Sequence, residues 1–175
     1  MSSQFSIILP FVESADLLPS SIPAMSKVTS QYVVVACAAS ESSRSESAEP
    51  SRSRWLDRSG VTFAAAVNAG LENSEGQFVT WARPGDSQFH EALPEVALFF
   101  EQHPDIDVVY GDAVWLDEQG NVLGNFRTQD WLRSRIERSC CLAESAVFLR
   151  RRVMERHGLL DPRWQFWADY DYWLR

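Results

Sequence analysis

The chain has 175 residues, 45% of them hydrophobic, enough apolar material for one sizeable core and not for two independent ones. Its formal charge of −8, from 24 acidic against 16 basic residues, repels a phosphate backbone and argues against nucleic-acid binding. No run of about 18 apolar residues exists, and the N-terminal MSSQFSIILP has no charged leader with a cleavable apolar stretch, so the expectation is a soluble, cytoplasmic, single-domain protein without a transmembrane segment. Cys37, Cys140 and Cys141 are odd in number and lack CxxC spacing, which argues against a disulfide framework or a thiolate zinc site.

FSIILP at 5–10 and YVVVACA at 32–38 read as strands covered on both faces, with a short, proline-interrupted helix over 17–25 between them. Residues 39–54, polar from Ser40 onward, are expected to form a mobile loop, because nothing in them anchors to a core. Order resumes at Trp55, and 60–71 reads as a helix ending near Asn68 and Gly70. A strand over 76–81 then stops at Arg83-Pro84-Gly85-Asp86.

Phe89, Leu93, Val96, Ala97 and Phe100 share one helical face, with Asp86 or Ser87 placed to start the helix and Pro94 tolerable only near its first turn. A strand over 106–110, then 113–117 and 122–123 about the turn EQGN, predict an antiparallel addition to an α/β protein. A last strand over 144–150 and a helix over 151–157 closed by Gly158 complete the pattern. Arg150, Arg151 and Arg152 are read as a solvated strand-to-helix junction, and His90, His103 and His157 share no metal spacing.

Several of these segments fall in one order. SIILP, VVV, DRSG through NAG to EGQFV, VYGD with DEQG, AVFLRR with HGLLD, and finally DYDYWLR resemble, almost end to end, the family 2 glycosyltransferases. The resemblance implies a GT-A fold, a Rossmann-like, mostly parallel mixed sheet flanked by helices, here ending without the family's usual C-terminal helices. It implies a nucleotide-diphosphate sugar as donor and a glycan or lipid-linked acceptor, as in polysaccharide biosynthesis. Peripheral membrane association is compatible with such an acceptor.

The resemblance also implies roles. Asp86 stands where the family holds Mg²⁺ or Mn²⁺ against the donor diphosphate, a task one carboxylate can perform when phosphate oxygens and waters complete the shell. Arg83 and Gly85 replace acids there. Helix capping is the alternative use of Asp86. Asp169 corresponds to the base that takes the acceptor's proton in an inverting transfer, with Asp171 supporting the local fold. Pro10, Arg58, Asn68 and Gly70 match nucleotide-binding positions, and Asp112 faces the acceptor. Ala36 stands where an acid normally contacts the base, and Glu41 lies further along. Trp167 and Trp173 flank the last motif either as sugar platforms or as core.

Two departures, the missing acid after the second strand and the stop at Arg175, support a second reading: a catalytically inactive GT-A-like domain that binds or scaffolds. A Rossmann nucleotide binder of another kind is disfavoured, because PFVESA after the first strand contains no glycine. Trp164, Phe166 and Trp173 near the C-terminus point to homo-oligomer formation if they are exposed.

Overall fold

The computed structural model describes residues 4–11, 30–36, 53–58, 60–83, 85–86 and 92–175. The helix expected over 17–25, most of the polar segment 39–54, and Cys37, Glu41, Ser87 and Phe89 lie outside these residues.

Six strands form one sheet in the order β3-β2-β1-β4-β8-β5. β1 (Phe5–Phe11), β2 (Ser30–Ala36), β3 (Ser53–Asp57) and β4 (Phe78–Trp81) are mutually parallel. β8 (Val147–Arg150) runs antiparallel to both β4 and β5 (Val108–Tyr110), so β5 points the same way as β4. β6 (Ala113–Leu116) and β7 (Val122–Phe126) make the separate antiparallel hairpin expected from the turn. Its tip is organised by Asp117, whose carboxylate accepts the backbone N–H groups of Gln119 and Asn121 while Gly120 takes φ 84°. β3 begins at Ser53, two residues inside the stretch expected to be loop.

The period-two alternation of the strands decides the layers. Ile8, Val79, Trp81, Val147 and Leu149 pack with Ala64, Val67 and Leu71 of α1 (Phe63–Glu72), Val153 of α4 (Arg152–His157) and Tyr172 of α5 (Ala168–Leu174). On the opposite face Phe5, Ile7, Leu9, Phe78 and Phe148 pack with Leu93, Ala97 and Phe100 of α2 (Ala92–Gln102). The result is a mixed α/β fold whose mostly parallel sheet is flanked by helices. α2 begins at Ala92, later than Asp86 or Ser87, and Pro94 therefore sits in its first turn, where its missing N–H has no intrahelical partner to lose. A one-turn helix, α3 (Arg133–Ile136), precedes Cys140 and Cys141, both free thiols.

Three sequence expectations are corrected. Gly70 is buried inside α1, and Asn73 caps the helix end, because the apolar face continues through Leu71. Glu144–Ala146 form a 3-10 turn before β8 and not its first residues. The three arginines after β8 are staples, not a solvated junction. Arg150 is buried and donates to the carbonyls of Phe100, Ile106 and His103; Arg151 reaches Gly76 O, Leu71 O and Ser74 Oγ; Arg152 reaches Asp107 and Pro104 O. Arg150 serves three carbonyls and Arg151 two, so one guanidinium fork satisfies several acceptors at once.

Candidate active site

In an open α/β sheet the ligand crevice lies beyond the carboxyl ends of the parallel strands, at the point where strand order reverses. Here that point falls between β1, which leads outward to β2 and β3, and β4. The residues following β4 and β5 and those preceding antiparallel β8 share that edge. Arg83, Asp86, Asp112, Glu144 and Ser145 are therefore brought to one side of the sheet.

Asp86 folds back on its own turn. Its Oδ2 accepts the backbone N–H of Arg83 at 3.2 Å, its own N–H donates to Arg83 O at 3.0 Å, and Gly85 takes φ 91° to allow the reversal. Burial raises its pKa, offset in part by that N–H, by a hydrogen bond from Ser145 and by the Arg83 charge. The carboxylate thus closes the strand-end turn, six residues before α2 starts.

Arg83 turns its guanidinium onto the ring of Phe63, 4.2 Å from the centroid, and its Nε donates to Glu144 Oε2 at 2.8 Å. Glu144 is the residue that sequence reading missed. Its side chain is 11% exposed, and its second oxygen, Oε1, is buried without a hydrogen-bond partner. Burial pushes its pKa up to about 7, with Arg83 opposing and the nearby carboxylates of Asp169 and Asp86 adding to the rise. Acids from three distant segments, after β4, before β8 and in α5, therefore share one electrostatic neighbourhood. The pairing of Glu144 with Arg83 spans 61 residues, and no local pattern announces it.

Among the described residues no group of three or more His, Cys, Asp or Glu side chains converges as a metal-binding set. Asp86 has its Oδ2 on the Arg83 N–H and the Arg83 charge beside it, so a divalent ion there needs further oxygens from a donor diphosphate and water.

The remaining predicted positions separate. Pro10 is buried near the end of β1, in register with Val35 of β2. Arg58 is exposed just beyond β3 and donates to Asp57 O. Asn68 ties α1 to the segment after α4: its Nδ2 donates to Leu160 O at 2.8 Å and its Oδ1 accepts Leu160 N–H at 3.0 Å. Asp112 is exposed and holds the end of the hairpin, accepting from Thr128 Oγ1 and N and from Arg127; the Thr128 hydroxyl is the main reason its pKa is lowered. Asp86 and Asp112 line one cleft of about 720 Å³ with Tyr110, Ser145 and Trp115. The two tryptophans of the last motif differ. Trp173 is stacked on Trp81 in the core, whereas Trp167 is 66% exposed.

Comparison with known proteins agrees with this architecture. No protein-family model matches the chain. Over 111 residues, 63% of its length, it is 29% identical to a PGL/p-HBAD biosynthesis glycosyltransferase of Mycobacterium bovis (strain BCG / Pasteur 1173P2), of which it spans 41%. Over 112 residues it is 31% identical to the O-antigen biosynthesis protein RfbC of Myxococcus xanthus, 64% of this chain but 9% of that protein. The chain thus spans less than half of either relative. A crystal structure of S. aureus TarS 1-349 superposes with a TM-score of 0.72 at 15% identity, covering 98% of this chain and 54% of that one. The same TarS region in complex with UDP-GlcNAc superposes at 0.61 and 16% identity. The chain has the fold of TarS 1-349, and over 111 residues it is similar in sequence to a protein named as a glycosyltransferase. Among the described residues no helix is long and apolar enough to cross a membrane.

Proposed function

We propose that the chain is a single GT-A domain of an inverting family 2 glycosyltransferase, moving a sugar from a nucleotide-diphosphate donor to a glycan or lipid-linked acceptor. The observation that carries this reading is the pairing of buried Glu144 with Arg83 at 2.8 Å, beside Asp86 at the strand-order reversal, with the Asp169 charge felt at the same carboxyl. That relatives are named as glycosyltransferases, and that TarS has been crystallised with UDP and with UDP-GlcNAc, supports a nucleotide-sugar donor here.

In this mechanism the acceptor hydroxyl gives its proton to Asp169 as its oxygen attacks the anomeric carbon of the donor. The bond from that carbon to the diphosphate oxygen breaks on the opposite face, and the electron pair leaves with the diphosphate. Arg83, half exposed beside Asp86, supplies positive charge at the strand end where the diphosphate is expected. A Mg²⁺ or Mn²⁺ ion belongs to this reading only as a companion of the donor diphosphate, and none of these steps depends on it. Nucleotide contacts fall to Pro10 and Arg58 at the ends of β1 and β3, with Asn68 and Gly70 acting through the placement of α1. Asp112 borders the cleft on the acceptor side.

Isothermal titration with UDP- and GDP-sugars, with and without Mn²⁺, tests the proposal. Binding of at least one donor is expected; no binding of any under either condition overturns it. The second reading, a non-catalytic binding domain, is favoured by one observation: Arg83 is committed to Glu144.

A further inference from the structure

A second cavity, of about 460 Å³, lies between the segment 138–140 and the start of α5, lined by Arg138, Cys140, Trp164, Trp167, Tyr170 and Asp171 among others. We propose that this cavity is the subsite that receives a pyranose ring of the acceptor glycan, stacked on Trp164 and Trp167. The inference rests on the glycosyl-transfer reading and names where its acceptor docks.

Three observations carry it. First, the aromatic residues here are not surplus core. Trp164 is 49% exposed and Trp167 66%, while Trp173, six residues on in the same motif, lies flat against Trp81. Second, Trp167 is held at φ 64°, the one non-glycine residue with positive φ among the described residues. A bulky side chain resists that conformation, and such strain gathers at functional positions. The strained backbone places Trp167 at the N-cap of α5, where its carbonyl accepts the Asp171 N–H at 2.9 Å. Third, the cavity borders the acid cluster. Trp167, Tyr170 and Asp171 line it, and Asp169, the proposed base, stands among them at the start of α5.

The chemistry fits a sugar better than a lipid tail or a nucleotide. A pyranose has apolar C–H faces and a rim of hydroxyls. The cavity offers indole and phenol faces beside Arg138 and Asp171, a donor and an acceptor for that rim. Tyr170 is anchored by its hydroxyl, which donates to Ile136 O. A diphosphate would meet Asp171 beside it.

The test is a glycan array displaying pyranose oligosaccharides, probed with the unaltered chain, Trp164→Ala/Trp167→Ala and Trp164→Phe/Trp167→Phe, alongside UDP titration of each. Expected are binding of at least one glycan class, a loss of tenfold or more in the alanine variant, recovery of most of it in the phenylalanine variant, and unchanged UDP affinity. The proposal is overturned if no glycan binds, if the alanine variant retains binding, or if that variant instead abolishes a dimer seen by light scattering, which would make the patch a contact between copies. Glycan binding without any UDP binding would leave the subsite standing and remove the transferase reading.

Discussion

The indole of Trp173 stacks on that of Trp81 with centroids 5.3 Å apart and planes 3° from parallel. Trp81 ends β4, the strand that delivers Asp86, and Trp173 lies in α5, the helix that carries Asp169. The stack therefore sets the spacing of two proposed site acids. Replacing Trp173 by Ala removes the contact and opens a cavity against a fully buried partner. A loss of about 3 kcal/mol in urea unfolding is expected, the low end for a large aromatic truncation because Trp173 is itself half-buried. Trp173→Phe should recover most of it. Equal stability of Trp173→Ala and the unaltered chain would remove the stack from any positioning role.

Much of this geometry was legible in the sequence, and the reasons are physical. The alternation of Phe5, Ile7 and Leu9 against Ile8, and the spacing of Leu93, Ala97 and Phe100, are local periodicities that two-sided burial requires. Asp86 was legible as a strand-end acid for the same reason. Glu144 was not, because its partner is 61 residues away and its burial depends on how the turn before β8 meets the turn after β4. Its one local signal was an acid three residues ahead of the apolar run Val147-Phe148-Leu149. Nor did sequence separate Trp167 from Trp173, since a seven-residue helix is too short for its buried face to stand out. The Arg150–Arg152 run misled because charge normally marks solvent, whereas here the carbonyls that need donors are internal.

That arginine staple makes its own prediction. Arg150 serves three carbonyls and lies over the rings of Phe100 and Phe78, 4.8 and 5.4 Å from their centroids. Arg150→Met keeps the stem but leaves buried acceptors unpaired, so a loss of about 3 kcal/mol is expected in chemical denaturation. Arg150→Lys should fail to rescue more than about 1 kcal/mol of it, because an ammonium cannot span three acceptors as the planar fork does. Full rescue by Lys would mean that charge, not hydrogen-bond geometry, is what the site uses.

Gly76 makes a sharper one. A Cβ there would lie 2.5 Å from the Ser6 nitrogen and 2.6 Å from the Phe5 carbonyl carbon, both backbone atoms that cannot swing aside. The Gly76 N–H also donates to the buried Ser6 Oγ at 2.8 Å. Gly76→Ala should cost at least about 2 kcal/mol by pushing the loop before β4 away from β1. The thermal midpoint reads this directly, and an unchanged midpoint would show that the approach is looser than these distances.

Glu144 predicts a pH dependence with a definite sign. Its folded pKa, about 7, stands above its ordinary value of 4.5, so the folded chain holds this proton more tightly than the unfolded one. The associated stability is fully present below about pH 4.5 and is lost as pH rises through 7, a change of roughly 3 kcal/mol for this group alone. Glu144→Gln mimics the protonated form and does not titrate. Its stability relative to the unaltered chain should therefore improve steadily between about pH 4.5 and about pH 8. Taking the difference between the two proteins cancels the other groups, including Asp86, whose raised pKa acts in the same direction. A difference that does not vary with pH would show that Glu144 stays ionised throughout, its charge held by Arg83.

Asp169 carries the decisive test of catalysis. If it takes the acceptor proton, Asp169→Asn keeps the shape and hydrogen-bonding reach of the side chain while removing its basicity. The turnover number with a donor that binds should fall by about 10²–10⁴-fold with donor affinity unchanged. Asp86→Ala should act oppositely, weakening donor binding by opening the Arg83–Asp86 turn, with a smaller effect on turnover at saturation. The two variants thus separate chemistry from binding. Glu144→Gln is the control for electrostatics, because it removes a neighbouring negative charge while its amide oxygen still accepts from Arg83. If Asp169→Asn transfers sugar as fast as the unaltered chain, Asp169 is not the base, and the binding-domain reading gains the argument that its acids serve the fold and not the reaction.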